Sequence, residues 1–162
     1  MAERPPPKLA ISEPAELLEW FEENLCEPTL KDPRGHRVAF DIGRFPYMVK
    51  LLDKEGTKLK KPMRAAAAIK RGELTRHDFG GMDAERAQTL SWIPATVLRP
   101  TFIARNNTLS VPGDELYIKE FDKPGYRYKV LICKRMSGGL LVPVTSYPRE
   151  KIGRLTDYLL WP

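Results

Sequence analysis

The chain has 162 residues, 42% hydrophobic and 30% charged, with a net charge of +6 and a pI near 9.4. That length fits one ordinary domain around one core, and the apolar share excludes a globally disordered chain. No apolar run approaches the roughly 18 to 20 residues that cross a bilayer, and no basic stretch leads into an apolar signal core. The expectation is a cytoplasmic protein without membrane contact, or one exported by a route that leaves no cleavable signal.

Residues 1–10, with Pro5, Pro6 and Pro7 in a row, predict an extended, flexible tail. Residues 11–162 then form a single domain, with a helical and basic half over 11–99 and a β-sheet half over 100–162. Ser12 can cap a helix over 13–24, where Leu17, Leu18, Phe21 and Leu25 recur at helical spacing and Pro28 provides a stop. After the Lys31-Asp32-Pro33-Arg34-Gly35 turn, Val38, Phe40 and Ile42 alternate as in a half-buried strand over 36–42. A short helix over 45–52 follows, then another over 63–69 carried by four alanines. Asp83 can cap a further helix, which Pro94 should bend or end before Leu98.

Beyond Arg99-Pro100 the pattern changes to a meander. Residues 115–121, 126–135 and 140–147 are rich in Tyr, Val, Ile and Leu, and the turns 122–125 and 137–139 join them. Short links imply antiparallel pairing in chain order, with a fourth strand from 108–111 or 158–161. The predicted fold is α+β, with N-terminal helices packed on a C-terminal antiparallel sheet of about four strands.

Charge is unevenly spread. Residues 13–27 hold six Glu and no Lys or Arg, residues 44–76 hold ten Lys or Arg against three acids, and residues 85–162 hold twelve against seven. Basic stretches of this kind fit a polyanionic partner, although a solvated basic face would look the same. Cys26 and Cys133 lie far apart, and with only His36 and His77 they show no zinc spacing, so two reduced thiols and no metal or cofactor are expected. A nucleophile elbow, a P-loop, a dinucleotide glycine pattern and a zinc-protease helix motif are all missing.

Strand alternation puts Arg127, Lys129, Leu131, Cys133 and Arg135 on one face, with Tyr117, Lys119 and Phe121 before them and Pro143, Thr145 and Tyr147 after them. If the three sets share a face, cations stand beside aromatic rings, a combination that suits single-stranded RNA. The plainer alternative is a wet face of an antiparallel sheet.

The order of these elements carries a resemblance. His36-Arg37-Val38-Ala39-Phe40-Asp41, Phe45-Pro46-Tyr47-Met48-Val49-Lys50-Leu51, the 86–99 helix, Asp114-Glu115-Leu116-Tyr117-Ile118-Lys119, Tyr128-Lys129-Val130-Leu131-Ile132 and Val144-Thr145-Ser146-Tyr147-Pro148 resemble the phage-associated nucleases of the barnase, EndoU, colicin and RelE superfold. The similarity covers residues 35–160 and rests on pattern. It implies an RNase-like fold and metal-independent RNA cleavage, in which the ribose 2′-hydroxyl attacks the adjacent phosphate. By that resemblance Tyr47, Lys119, Lys129, Thr145 and Tyr147 would be catalytic, while Lys50, Tyr117, Arg127, Arg135, Arg149 and Lys151 would hold RNA. Many relatives carry a histidine in the short helix where this chain has Tyr47. The implied partners are RNA and an acidic immunity protein. The competing reading is a non-catalytic adaptor for RNA or protein, or a structural component of a phage or defence complex.

Overall fold

The computed structural model describes residues 2–10, 13–107 and 112–162. Helix α1 (Pro14–Phe21) starts on a proline, which has no N–H to leave unsatisfied, and continues as a π-turn through Cys26. It buries Leu17, Leu18, Phe21 and Leu25 as the spacing predicts. Ser12, the expected cap, lies outside the described residues, and the N-cap position is held by Glu13 without a side-chain hydrogen bond. Phe21 meets Phe40 and Phe45 edge-on at 5.9 and 5.6 Å, which fixes α1 against the segment that builds the site.

The strand expected over 36–42 is shorter than its alternation suggests. Strands β1 (Leu30–Lys31) and β2 (Arg37–Val38) pair antiparallel, and Ala39 N–H still bonds Leu141. Asp41 then accepts from Gly43 N–H and turns the chain into a 3-10 turn, Ile42–Arg44. Helix α2 (Phe45–Met48) follows directly but ends four residues before the expected 52. Its stop is a Schellman arrangement in which Leu51 N–H donates to Pro46 at 2.8 Å and Lys50 takes a left-handed φ of 51°.

Helix α3 (Pro62–Lys70) matches the alanine run, and Asp83 caps α4 (Ala84–Gln88) by accepting from Arg86 N–H. A 3-10 turn, Thr89–Trp92, links α4 to α5 (Ile93–Leu98). Pro94 lies in the first turn of α5, so it opens a helix where the sequence predicts an ending.

Strands β3 (Phe102–Arg105), β4 (Glu115–Glu120), β5 (Tyr128–Arg135), β6 (Leu141–Arg149) and β7 (Leu159–Trp161) complete one sheet in the order β1-β2-β6-β5-β4-β3-β7. The expected meander is β4-β5-β6. The expected count of about four is corrected to seven among the described residues, and the sheet is mixed because β2 runs parallel to β6. β1 has two residues, too short for a period to register, β2 is the paired part of the expected 36–42 strand, and β3 follows the Arg99-Pro100 break without a strand signal of its own. The 158–161 candidate is β7, whereas the 108–111 candidate lies outside the described residues.

The helices cover one sheet face, where Tyr117, Leu131, Cys133 and Leu141 join the main core. On the other face Leu116, Ile118, Val130 and Ile132 pack beneath Ile152 and Leu155. The proline-rich start is extended and tied down: Pro6 and Pro7 carbonyls accept from Trp92 Nε1 and Ser91 Oγ, and Leu9 N–H donates to Gln88.

Candidate anion-binding cleft

The two strand lysines expected to be catalytic do stand opposite one another, Lys119 across from Lys129. Both are covered by the helical layer. Lys129 is fully buried, and its ammonium donates to Thr89 Oγ1 at 2.8 Å. Burial first, and the charge of Arg86 second, pull its pKa from 10.5 down to about 7. Lys119 is 7% exposed and donates to the Arg99 carbonyl at 2.6 Å. Tyr117 is sealed as well. Its hydroxyl donates to Asp32 at 2.6 Å, and burial together with that carboxylate pushes its pKa far up.

Asp32 belongs to a closed network. Arg34 bridges Asp32 at 2.8 Å and Glu115 at 2.7 Å, and Arg135 adds a second guanidinium to Glu115. Burial opposes ionisation of Asp32, but hydrogen bonds from Tyr117, Arg34 and the His36 backbone outweigh it and hold the carboxyl below its usual range. The network staples the β1–β2 hairpin to β4, which leaves Arg135 engaged in the fold.

Thr145 and Tyr147 fall elsewhere because β6 bulges. The pairing slips between Ile132 and Cys133, so Cys133 faces Pro143 while Ile132 faces Thr145 and Val130 faces Tyr147. One extra residue, Val144, reverses the alternation, and Thr145 and Tyr147 leave the register of Lys129. The shared face expected from sequence is therefore split.

The slip brings Thr145 and Tyr147 to a cleft of about 290 Å³, opposite Tyr47 and Lys50, with Lys58 and Arg86 also at its wall. Each cation has a structural reason for its place. Lys50 ends α2 in a backbone conformation that favours glycine, at a cost of about 1 kcal/mol. Lys58 ends a loop closed by Asp53, whose carboxylate accepts from the Glu55 and Thr57 N–H groups. Against that loop sits Gly80, where an added Cβ would come within 2.2 Å of the Asp53 carbonyl. Lys58 Nζ then lies 4.6 Å from the Tyr47 ring centroid, and Arg44 lies 5.4 Å from the same ring. Arg86 donates to Thr145 Oγ1 at 2.8 Å and lies 5.6 Å from the Tyr147 ring centroid.

Of the residues expected to act, the cleft gathers Tyr47, Lys50, Thr145 and Tyr147. Arg127, Arg149 and Lys151 border separate hollows near the 124–127 turn and the segment after β6. From sequence Lys58 belongs to the basic 44–76 stretch, where contact with solvent or a phosphate backbone is expected, and Arg86 carries no assigned role. Its short helix offers no periodic signal, and only the bulge in β6 brings Thr145 to it. Among the described residues no three His, Cys, Asp or Glu side chains gather in a metal-holding arrangement. Cys26 and Cys133 are free thiols, the first half-buried and the second buried. No helix among the described residues is long and apolar enough to cross a membrane.

No family model, curated protein or solved structure matches the chain. The molecule is thus defined by its own architecture: an α+β protein with a mixed seven-stranded sheet and a cationic, aromatic cleft at the outer side of β6.

Proposed function

We propose that the protein binds single-stranded RNA in the cleft between α2 and β6. The observation that carries this reading is the pairing of each tyrosine with a cation: Tyr47 with Lys58 and Tyr147 with Arg86. Aromatic faces stack on unpaired bases, and the adjacent cations neutralise the phosphates that join them. None of the glutamates of residues 13–27 is among the residues that line the cleft.

Metal-independent endoribonuclease action is the stronger form of the same proposal, relocated to this cleft. What favours it is that the Arg86 guanidinium donates to Thr145 and pairs with Asp83 at 3.9 Å, a cation positioned before any substrate arrives. Strain at Lys50 fits as well, since backbone strain collects at functional sites. Lys119 and Lys129 have no part in this form, because neither ammonium faces the cleft.

Incubation of the protein with labelled oligouridylate in EDTA tests both forms. Binding should weaken as salt rises and should fall roughly tenfold in each of Lys58→Ala and Arg86→Ala. Ends carrying 2′,3′-cyclic phosphate, lost in Arg86→Ala, establish cleavage. Tight binding with intact RNA establishes an adaptor, and no binding at low salt sinks the proposal.

A further inference from the structure

Away from the cleft, the N-terminal strap carries one side chain into a cationic site. Glu3 Oε1 and Oε2 accept from Arg99 Nε at 3.1 Å and Nη2 at 3.3 Å, and the same carboxylate pairs with Lys119 Nζ at 2.5 Å. A guanidinium fork with an ammonium beside it is the arrangement that grips a phosphate group. We infer that Arg99 and Lys119 form a phosphate-binding subsite, occupied in this structure by Glu3 as a stand-in for the anion.

Three observations carry the inference. First, the Lys119 side chain is only 9% exposed, so its ammonium is poorly hydrated and depends on an anion. Its other partners, the Arg99 carbonyl and the Phe121 ring 5.9 Å away, bring no charge. Second, two cations, Arg99 and Lys119, converge on the one Glu3 carboxylate. Glu120, the other carboxylate bordering the site, has the Tyr128 phenol as partner. Third, a hollow of about 380 Å³ opens beside Glu3 and Lys119, so a phosphate has room where the carboxylate now sits. Hydrogen bonds from both cations hold the Glu3 carboxyl down at about 2, so it is an anion at any physiological pH.

The strap is built to exchange this one contact without leaving. Its other ties do not involve the Glu3 side chain: Glu3, Pro6 and Pro7 carbonyls receive Asp122 N–H, Trp92 Nε1 and Ser91 Oγ, Leu9 N–H donates to Gln88, and Lys8 pairs with Glu85 at 3.6 Å. A phosphate can therefore displace the Glu3 side chain while the strap stays anchored over Trp92. The ligand chemistry is a phosphate group, either the free ion or one carried by RNA.

The test uses the full-length protein and inorganic phosphate, titrated at constant ionic strength while the Arg99 Nε–Hε resonance is followed by NMR. Glu3→Gln keeps every backbone tie and should bind phosphate at least roughly tenfold more tightly than the wild type, because the competing anion is gone. Glu3→Gln combined with Lys119→Met should lose that gain. Equal affinity in wild type and Glu3→Gln, or no saturable shift in either, overturns the inference, as does a gain that survives loss of Lys119. Displacement of bound phosphate by oligouridylate would assign the site to an RNA phosphate, and retention would assign it to the free ion. Because the probe is inorganic phosphate, failure of the RNA-binding proposal leaves this result standing.

Discussion

Two groups of lysines on this molecule meet opposite fates. Lys119 and Lys129 stand on a regular antiparallel pair, and regularity is what buries them: they occupy the alternate positions shared with Tyr117 and Leu131, the face that the helices cover. Lys50 and Lys58 sit where regularity ends, at a left-handed helix stop and at the close of a loop, and both line an open cleft. A strand position fixes which way a charge points but not whether the far side is open. Irregular backbone, held by Asp53 and Gly80, is what presents charge to a ligand here.

The sharpest way to break this contrast is to remove the buried charge. The native Lys129 amine gives up its proton near pH 7, while the unfolded one holds it to about 10.5. Stability should therefore climb as pH rises through that window, with the full burial penalty present below pH 7. Lys129→Met should stabilise the protein by on the order of 3 kcal/mol at pH 6 and by much less at pH 10, read from urea midpoints. Thr89 loses nothing essential, since its hydroxyl still donates to the Glu85 carbonyl at 2.6 Å. Destabilisation by this change, or a gain that does not depend on pH, would show that the ammonium serves the fold.

On the open side, Tyr147→Ala should weaken oligouridylate binding by roughly 1 to 2 kcal/mol, the scale of one base stacked on one ring. Tyr147→Phe should bind like the wild type, and a loss in Phe equal to that in Ala would move the contribution from the ring to the hydroxyl. The smallest effect separates strain from charge at one residue. Lys50→Gly should raise stability by about 1 kcal/mol, because glycine takes a φ of 51° freely, and should lower RNA affinity a few-fold. A stability gain with unchanged affinity would remove Lys50 from the site.

Much of the helical layer and the central meander was legible in sequence, because α1, α3 and β4 to β6 are long enough for spacing and turn chemistry to register. Of the outer strands, β2 and β7 fall inside the expected 36–42 and 158–161 runs, whereas β1 and β3 were not legible. β1 and β2 owe their existence to the Asp32–Arg34–Glu115 staple and to pairing with β6, contacts between distant parts of the chain. The shared face split at one residue: Val144 shifts the β6 register, and a strict count of two sends Thr145 and Tyr147 to the wrong side. Period-two reading also assigned Lys129 correctly to the face of Leu131, yet nothing local to β5 says that Thr89 and its turn lie on top. Resemblance in element order supplied residue names without this register, so four of its eleven residues reached the cleft and the rest did not.

The parallel contact between Val38 and Leu141 joins the early hairpin to a strand about a hundred residues further along the chain. During translation, α2 leaves the ribosome long before its opposite wall exists, so a nascent chain carries loose cations but no cleft. Sheet closure must wait for β6, and such distant pairing slows folding to milliseconds or longer. A ribosome-bound chain stalled before Leu141 should therefore lack the completed site that the released protein has.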